Sequence, residues 1–255
     1  MSYLKVSQLS YQLDNTHLLQ PTEFTMEAGE VVGILGPNSS GKTTLLRLLA
    51  TVLKPTSGSV DLNGVPLEST QEYRRRIGYM PDLLGNYEEF SVNEVLSYFA
   101  RGFGLTSGEK EKSVVRALQQ TELEEQLNTP VAELSSSQSR RLALARILMH
   151  SPWLLLLDEP FSALDNEERR QMIRILEHLD HVEKAILITS TRLDELADAC
   201  SRIAVMDKGQ LSSFVPTGEI LQAISQDEQD VGKKVLKRTP EDEYEDTIEL
   251  EPAEE

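Results

Sequence analysis

The chain has 255 residues, 39% of them hydrophobic, and a formal net charge of -17 at pH 7. Its length allows one large or two small domains with a substantial core, and no apolar run approaches the roughly 20 residues that a membrane span needs. The negative charge argues against nucleic acid as the main partner, because nucleic-acid binders usually carry a basic face.

The first residues and the cysteine content indicate a cytoplasmic protein. The opening sequence, MSYLKVSQLS, lacks a charged flank followed by an apolar block, so no signal peptide is expected. Cys200 is the only cysteine, which excludes an internal disulfide and fits a reducing compartment.

Strands and helices alternate along the first part of the chain. The segment VVGIL at 31–35 has the continuous apolar character of a buried strand, and the leucines that follow it recur at helical spacing. The predicted elements are strands at 4–9, 24–26 and 31–35, a helix at 42–53 ended by Pro55 and Gly58, a hairpin about Asn63-Gly64, and a strand at 77–80 ended by Pro81.

A mainly helical insert is predicted over residues 83–150. Ser91 and Glu94 have the spacing of a capping box that opens a helix. The whole pattern predicts a three-layer α/β core into which this helical subdomain is inserted. The remaining predicted elements are a helix at 109–120, strands at 153–157, 185–189 and 203–206, and a helix at 166–179.

The C-terminal segment over 226–255 is predicted to be an acidic tail. Between Thr239 and Glu255 there are nine acids and no base. Such a run repels itself and has little to bury, so we expect it to stay solvated and disordered. A solubilising role is favoured over the alternative, which is docking to a basic site on a partner.

A glycine-rich phosphate-binding motif, GPNSSGKTT, occupies residues 36–44, directly after a predicted buried strand and at the start of a helix. Gly36 and Gly41 let the backbone wrap closely, so that consecutive N–H groups point at a phosphate. Lys42 would neutralise β- and γ-phosphate oxygens, and the hydroxyl of Thr43 would bind Mg²⁺.

Two acids, Asp158 and Glu159, end the apolar run LLLLDEP at 154–160. Ligands of parallel sheets gather at the carboxyl ends of the strands. Asp158 is therefore expected to hold Mg²⁺, directly or through water, and Glu159 to polarise the attacking water. Without the upstream phosphate motif, the default interpretation would be that both acids cap helices or form salt bridges.

A third motif, LSSSQ at 134–138, precedes a predicted helix over 138–149. Ser135, Ser136 and Ser137 could cap this helix and create an N-terminus that binds anions. Taken alone, the motif would be a serine-rich N-cap. Its position shortly before the Asp-Glu strand end makes it informative.

The ordered set of these motifs resembles the ATP-binding-cassette (ABC) ATPases over roughly residues 1–220. It includes SALD at 162–165 and ILITSTRLDELADACSRIAVMDKGQL at 186–211, and YEEFSVNEVLSYFARGFG at 87–104 resembles single-cassette exporter subunits whose membrane subunits are separate chains. The resemblance implies an α/β fold: a three-layer, RecA-like P-loop NTPase core with an antiparallel β subdomain and an inserted helical subdomain, together occupying residues 1–225.

The resemblance also implies which residues bind ATP. Two cassettes sandwich two ATP molecules head to tail, and each site takes the phosphate loop of one chain and the signature motif of the other. Tyr11 is the candidate for stacking on adenine, in competition with Leu13. Asp165 resembles an acid that communicates between the two sites, and it could also be the N-cap of the helix from Asn166. The implied ATP-binding residues are Gly36, Pro37, Asn38, Ser39, Ser40, Gly41, Lys42, Thr43, Thr44 and Tyr11, with Ser135, Ser136, Ser137 and Gln138 as the signature in trans.

Four features depart from the family pattern. Ser136 and Ser137 replace the two signature glycines, and Ser39 replaces a frequent glycine of the phosphate loop. Asp82 replaces a glutamine, which would make magnesium and water coordination there carboxylate-based. Thr191 replaces the switch histidine and cannot carry its charge. Loss of one such group commonly costs roughly 10²–10³ in rate, so slow hydrolysis is expected.

The expected function is that of the energising subunit of an ABC exporter, with Glu159, Thr191 and Asp82 as candidate catalytic residues and ATP and Mg²⁺ as ligands. The expected partners are polytopic membrane permease subunits, which dock near residues 81–90, and a second cassette of the same or a different chain. The protein would then lie at the cytoplasmic face of the cell membrane, held there by the permease.

Two other functions are considered. The alternative is a regulatory cassette that binds ATP and hydrolyses little or none of it. A soluble cassette ATPase of DNA repair or translation is disfavoured, because the chain has one copy of each motif, no coiled-coil insertion and an acidic charge.

Overall fold

The structure is a computed structural model that describes residues 3–14, 16–82, 85, 87–179 and 184–223. The chain divides into two compact units, Met1–Pro216 and Thr217–Glu255. Of the second unit the structure describes residues 217–223, which are helical. The predicted acidic tail at 226–255 lies outside the described residues.

Strands and helices alternate in the first unit, as the sequence predicts. The strands are β1 (Leu4–Leu13), β2 (Thr16–Met26), β3 (Val31–Leu35), β4 (Ser57–Leu62), β5 (Val65–Pro66), β6 (Ile77–Met80), β7 (Leu154–Asp158), β8 (Ala185–Ser190), β9 (Arg202–Asp207), β10 (Gln210–Leu211) and β11 (Val215–Pro216). The helices are α1 (Lys42–Leu49), α2 (Thr70–Arg74), α3 (Val92–Gly102), α4 (Ser107–Gln120), α5 (Ser136–Leu148), α6 (Asn166–His178) and α7 (Leu193–Ala197). Short 3-10 turns span Glu124–Gln126 and Val131–Glu133.

The larger sheet has the strand order β10-β9-β3-β8-β7-β6, with β11 also paired to β9. Its central strands β9, β3, β8, β7 and β6 run parallel, whereas β10 and β11 are antiparallel to β9. The carboxyl ends of β3, β7 and β8 therefore lie side by side at one edge, with Leu35 opposite Ser190 and Asp158 opposite Thr189.

Both faces of this sheet are covered. Every residue of β7 and β8 is buried, and successive side chains of a strand point to opposite faces. Helix α1 packs against β7, α5 against β6, and α7 against β3 and β8. The predicted three-layer α/β core is thus confirmed, since an apolar parallel strand needs helices on both sides.

A smaller antiparallel sheet packs beside this core, with the order β2-β1-β4-β5. Leu4 of β1 pairs with Met26 of β2 on one side and with Leu62 of β4 on the other, and all three side chains are fully buried. They belong to one hydrophobic cluster together with Leu45 and Leu154. The antiparallel β subdomain and the parallel sheet therefore share a core.

The segment between β6 and β7 contains helices α3, α4 and α5, which pack around a separate apolar cluster that includes Leu96, Leu118 and Leu142. Helix α3 begins with the expected capping box of Ser91 and Glu94. Helix α5 is buried on several sides, because it contacts α3 and α4 as well as β6. At Gly78 of β6 an added Cβ would lie 3.1 Å from Cβ of Ile147, so the glycine allows α5 to approach the sheet closely.

The prediction of a helix over 42–53 is wrong at its end, because α1 ends at Leu49. Thr51 adopts a left-handed φ of 57°. The N–H of Thr51 bonds to the carbonyl of Leu48, and the N–H of Val52 bonds to that of Arg47. This is a Schellman cap with threonine at the position that glycine usually occupies, so no local glycine marks the helix end.

Other predicted elements are shorter than those in the structure. Strand β1 continues to Leu13, β2 begins already at Thr16, and α5 begins at Ser136. Helices α2 and α7 and strands β10 and β11 were not predicted, because segments of two to five residues carry little periodicity. None of the helices in the described part of the chain has the length and apolar character that a membrane crossing requires.

Candidate nucleotide site

The phosphate loop connects β3 to α1 at the edge where the parallel strands end. Gly36 packs closely against the backbone of β9, since an added Cβ would lie 2.3 Å from the carbonyl oxygen of Met206. Gly41 is the N-cap of α1 and has a φ of 113°, a conformation that favours glycine. Both glycines of the motif are therefore required by the backbone path.

Ser39 also adopts a left-handed conformation, with a φ of 64°. This is the position at which the family frequently has glycine, and a side chain there costs about 1 kcal/mol or more in backbone strain. Ser40, the next residue, has a buried hydroxyl oxygen with no hydrogen-bond partner among the described atoms. A buried polar atom without a partner is unfavourable, and this one lies in a loop whose shape suits an anionic ligand.

Lys42 bends back over the loop. Its Nζ donates to the carbonyl oxygens of Gly36 at 2.7 Å and Pro37 at 3.1 Å, and it lies 3.4 Å from Oε1 of Glu159. The side chain is only 6% exposed. The ammonium group is thus held at the mouth of the loop by two carbonyls and one carboxylate.

Asp158 and Glu159 stand at the end of β7, next to the end of β8. Asp158 is 1% exposed, and its Oδ1 accepts a 2.7 Å hydrogen bond from the hydroxyl of Thr189. The backbone N–H of Glu159 donates to the carbonyl and the hydroxyl oxygens of Thr189 at 3.2 and 3.3 Å. Thr189 therefore orients both acids.

Glu159 leaves the strand in a left-handed conformation, with a φ of 48°, which turns its side chain towards the phosphate loop. Burial raises the pKa of this carboxyl above its ordinary value, against the lowering influence of Lys42 and of the backbone N–H of Thr191. That N–H lies 3.2 Å from Oε2 of Glu159. Thr191 thus contacts Glu159 through its backbone, while its side chain is exposed.

A cavity of about 330 Å³ opens over the loop. It brings together most of the predicted phosphate and metal residues, and Tyr11 and Leu13 are not among the described residues that line it. Tyr11 packs against the hydrophobic cluster, and Leu13 is exposed at the end of β1. The residues that line the cavity are Leu18, Asn38, Ser39, Ser40, Gly41, Lys42, Thr43, Thr44, Asp82 and Glu159.

Asp82, which follows β6, is bound by an arginine of the helical insert. Nη1 of Arg140 donates to the carbonyl oxygen of Asp82 at 2.9 Å, and Nη2 donates to Oδ1 at 3.0 Å. The sequence predicts that Asp82 binds a metal, but nothing in it indicates this partner.

The signature residues form the start of α5, away from the loop cavity of the same chain. Oγ of Ser135 accepts from the N–H of Gln138 at 3.1 Å, and Oε1 of Gln138 accepts from the N–H of Ser135 at 2.9 Å. This capping box engages both side chains and leaves the N–H groups of Ser136 and Ser137 as first-turn donors. The side chain of Ser136 is exposed and that of Ser137 is buried.

Asp165 is the N-cap of α6. Its Oδ1 accepts from the N–H groups of Glu167 and Glu168 at 2.8 and 2.9 Å, which confirms the capping interpretation. The residue is exposed, so the cap leaves one face of the carboxylate accessible.

Comparison with known proteins identifies the family. A family model described as ABC transporter matches residues 19–162. A Nod factor export ATP-binding protein I from Burkholderia thailandensis is 37% identical over 204 residues, which is 80% of this chain and 67% of that protein. The chain belongs to the ABC transporter family. It is an ATP-binding subunit, as the order of its motifs indicates.

Other relatives agree with this assignment. The protein of the same name from Sinorhizobium fredii is 34% identical over 208 residues, which is 81% of this chain and 61% of that protein. This ABC subunit thus spans about two thirds of the length of these relatives. The solved structure of cbiO1 from Clostridium perfringens, described as part of the ABC transporter complex cbiONQ, has 30% identity and a TM-score of 0.79, covering 94% of this chain and 96% of that one.

A dimeric structure of the bacterial ABC transporter cassette MJ0796 has a TM-score of 0.74 and 23% identity, covering 84% of this chain and 98% of that one. At this identity the match supports the fold. Together with cbiO1 it confirms the predicted P-loop NTPase architecture.

Three residues at the site are not predicted from the sequence. Thr189 stands opposite Asp158 in the register of β7 and β8, so a correct pairing of the two predicted strands would have found it. Leu18 lines the cavity only because of the tertiary fold, and for the same reason Arg140 contacts Asp82. No local signal in the sequence marks either of them.

Proposed function

We propose that this subunit couples ATP binding and slow hydrolysis to the movement of separate membrane subunits of an exporter. The observation that carries the proposal is the contact between Lys42 of the phosphate loop and Glu159, which directly follows the buried Asp158 at the end of β7. A protein that only bound nucleotide would need the loop and Lys42, whereas a carboxylate placed like Glu159 suits the activation of water.

Each residue has a distinct role in the proposed cycle. The loop N–H groups and the hydroxyl of Ser40 would bind phosphate oxygens. The ammonium group of Lys42 would give up its contact with Glu159 and pair with the γ-phosphate. Glu159, released from the ammonium group, would then accept hydrogen bonds from the attacking water. The backbone N–H of Thr191 would keep the carboxylate in place.

The donor set also fits Mg²⁺. Thr43 and Asp82 line the cavity, and so does Glu159, the residue that follows the buried Asp158. Hydroxyl and carboxylate oxygens are the ligands that this ion prefers. Thr43, Asp158 and Asp82 are therefore the residues that would hold it, and the bound ion would neutralise developing phosphate charge.

The replacements of family residues support a slow reaction. Thr191 is shorter than the switch histidine that it replaces and has no ionisable group, so it cannot bring a positive charge to the γ-phosphate, and it is exposed. The exposed Cβ of Ser136 adds bulk where the partner's nucleotide would approach. Loss of one preorganised charge-stabilising group costs roughly 10²–10³ in rate.

The assembly that we infer contains two cassettes and a polytopic permease at the cytoplasmic face of the membrane. The signature residues lie outside the loop cavity of their own chain, which supports completion of each site by a second cassette. An exporter is favoured because the relatives are named Nod factor export ATP-binding protein I. We further infer that the cassette occupies residues 1–225, with its helical subdomain at about 83–150, and that 226–255 forms an acidic tail.

A direct test uses the purified chain together with the full transporter. Binding of a fluorescent ATP analogue and phosphate release are measured in the wild type and in K42A. We expect wild-type binding, loss of most binding in K42A, and turnover well below that of an ABC ATPase with both signature glycines and the switch histidine. A wild-type chain that binds no nucleotide, or one that turns over as fast as such an ATPase, contradicts the proposal.

The second candidate is a regulatory cassette that closes on ATP and barely hydrolyses it. The exposed Thr191 and the serine signature favour it. Transport by the assembled complex with E159Q separates the two functions. Transport collapses if this site hydrolyses ATP, and it survives if the site only binds.

A further inference from the structure

The short segment that joins β8 to α7 is held at three consecutive residues. The carbonyl oxygen of Ser190 accepts a 3.2 Å hydrogen bond from the N–H of Gly36, the first glycine of the phosphate loop. The N–H of Thr191 donates to Oε2 of Glu159 at 3.2 Å. The N–H of Arg192 donates to the hydroxyl oxygen of Ser190 at 3.0 Å. The path of this segment therefore determines where the N–H of Thr191 lies relative to Glu159.

Glu195, in the first turn of α7, is the acceptor that completes this arrangement. Its Oε2 accepts a 2.5 Å hydrogen bond from the hydroxyl of Ser190. Ser190 is fully buried and Glu195 is 7% exposed. Nε of Arg192 lies 3.5 Å from Oε1 of Glu195, which supplies the charge compensation that a buried carboxylate needs. Glu195 thus binds both Ser190 and Arg192, the residues on either side of Thr191.

The contact between Thr191 and Glu159 depends on the backbone. Thr191 is exposed, and it reaches the carboxylate through its N–H. A backbone N–H can be directed only by the conformation of its segment. Because Ser190 and Glu195 are buried, loss of the carboxylate would leave the hydroxyl of Ser190 without its acceptor in a place that water reaches poorly. A change at Glu195 is therefore transmitted to the N–H of Thr191.

We propose that Glu195 is a positioning residue for hydrolysis, which fixes residues 190–192 so that the N–H of Thr191 orients the carboxylate of Glu159. Glu195 acts through Ser190, and it is not among the described residues that line the loop cavity. The inference rests on the proposed function, because it needs Glu159 to activate water. An error of about 1 Å in the placement of a reacting group costs up to about 10² in rate, so a residue outside the cavity can have a large effect on turnover.

The first test measures nucleotide affinity and kcat separately in the full chain and in E195A, E195Q and S190A. E195A removes the acceptor, and kcat should fall about tenfold or more through misplacement of the base. The half-saturating concentration of ATP should stay within about twofold, because the bonds that are lost do not involve the phosphate loop. E195Q keeps an oxygen that can accept from Ser190, so it should retain most of the turnover.

Variants in the same network should not have additive effects. S190A removes the donor of the bond, so it should lower kcat as much as E195A does, and E195A should have no further effect in the S190A background. The variant E159Q/E195A is more informative. If Glu195 acts by orienting the carboxylate at position 159, E195A should not reduce the residual single-turnover release of labelled phosphate by E159Q.

E30A is the matched control. The side chain of Glu30 is 16% exposed and pairs with Nε of Arg202, so it is also a largely buried carboxylate with an arginine partner. Glu30 directly precedes β3, whereas the phosphate loop follows that strand, so the two lie at opposite ends of the sheet. E30A should lower the thermal unfolding midpoint and leave kcat unchanged.

Each further outcome has a definite meaning. The positioning role is refuted if E195A leaves kcat unchanged, if it weakens nucleotide binding as much as turnover, or if it costs as much in the E159Q background as in the wild type. It is also refuted if E195Q is as slow as E195A. A wild type that binds no nucleotide, or E159Q that turns over like the wild type, instead contradicts the proposed function. Thermal unfolding checks that each variant is folded, and S190A replaces E195A in the comparisons if E195A does not fold.

Discussion

The ammonium group of Lys42 lies 3.4 Å from Oε1 of Glu159, so the proposed phosphate-binding cation and the proposed water-activating base form an ion pair. A nucleotide has to separate this pair before either residue can act. The ion pair therefore links occupation of the loop to activation of the carboxylate.

Replacement of Glu159 by Gln should separate binding from hydrolysis. E159Q removes the negative partner of Lys42, so the affinity for ATP should stay the same or increase. The rate of phosphate release should fall about 10²-fold or more, the contribution of a positioned general base. Nucleotide titration and a phosphate-release assay measure the two quantities. E167Q, which alters an exposed acid on α6, is the control and should change neither.

The ATPase rate should show an acid limb that belongs to Glu159. Burial raises the pKa of this carboxyl above its ordinary value of 4.5. Because the base must be deprotonated, the rate should fall as the pH is lowered through this raised pKa, at a higher pH than for an exposed glutamate. A pH–rate profile of the wild type tests this, and the same limb persisting in the residual activity of E159Q would assign it to another group.

The same pKa shift affects stability. A group whose pKa is raised in the folded state contributes stability below its unfolded pKa and loses it as the pH rises through the folded value. Ionised Glu159 therefore disfavours folding at neutral pH. E159Q should raise the thermal unfolding midpoint relative to the wild type at pH 8 more than at pH 4. An equal difference at both pH values would contradict the assignment.

Thr189 should be required for the geometry of both acids. T189V keeps the shape of the side chain but removes the hydroxyl that donates to the buried Asp158. An unsatisfied buried acceptor costs about 1–3 kcal/mol, so the free energy of unfolding should fall by that amount, and the ATPase rate should fall with it. Denaturant unfolding and phosphate release measure these effects. T189S, which restores the hydroxyl, should recover most of both.

The two signature serines should behave differently. Ser136 is exposed and Ser137 is buried. S136G removes a Cβ from the surface that would face the partner's nucleotide, and turnover should rise about threefold to tenfold, or ~1 kcal/mol of barrier. S137G should instead lower the free energy of unfolding by roughly 0.5–1 kcal/mol through backbone entropy. Equal effects of both variants on turnover would show that burial does not distinguish them.

The parts of the site that the sequence predicts are those encoded in contiguous residues. Gly36, Gly41 and Lys42 lie within one loop, and Asp158 and Glu159 follow one apolar run, so strand, loop and chemistry can be read together. Asp165 is similar, because an N-cap depends only on the residues beside it. These predictions need local backbone rules and the direction of a parallel strand.

The parts that could not be predicted depend on contacts between distant segments. Arg140 reaches Asp82 only because α5 packs against β6, and no sequence spacing specifies that packing. The end of α1 was misplaced because Thr51 adopts a conformation that is usual for glycine. Tyr11 was proposed from proximity along the chain, whereas the cavity is lined by Leu18 of the neighbouring strand. Its role in stacking stays a prediction.

Helix α5 of the helical insert contacts α3 and α4 as well as β6, and its Ile147 packs against Gly78. An exchange of the insert between related cassettes would therefore succeed or fail on the sheet-facing side of this one helix. A chimaera that takes only residues 92–120 from a donor keeps its own contact surface between α5 and β6. One that takes 92–148 brings in the donor's α5, and it would need the donor's residue at position 78 as well.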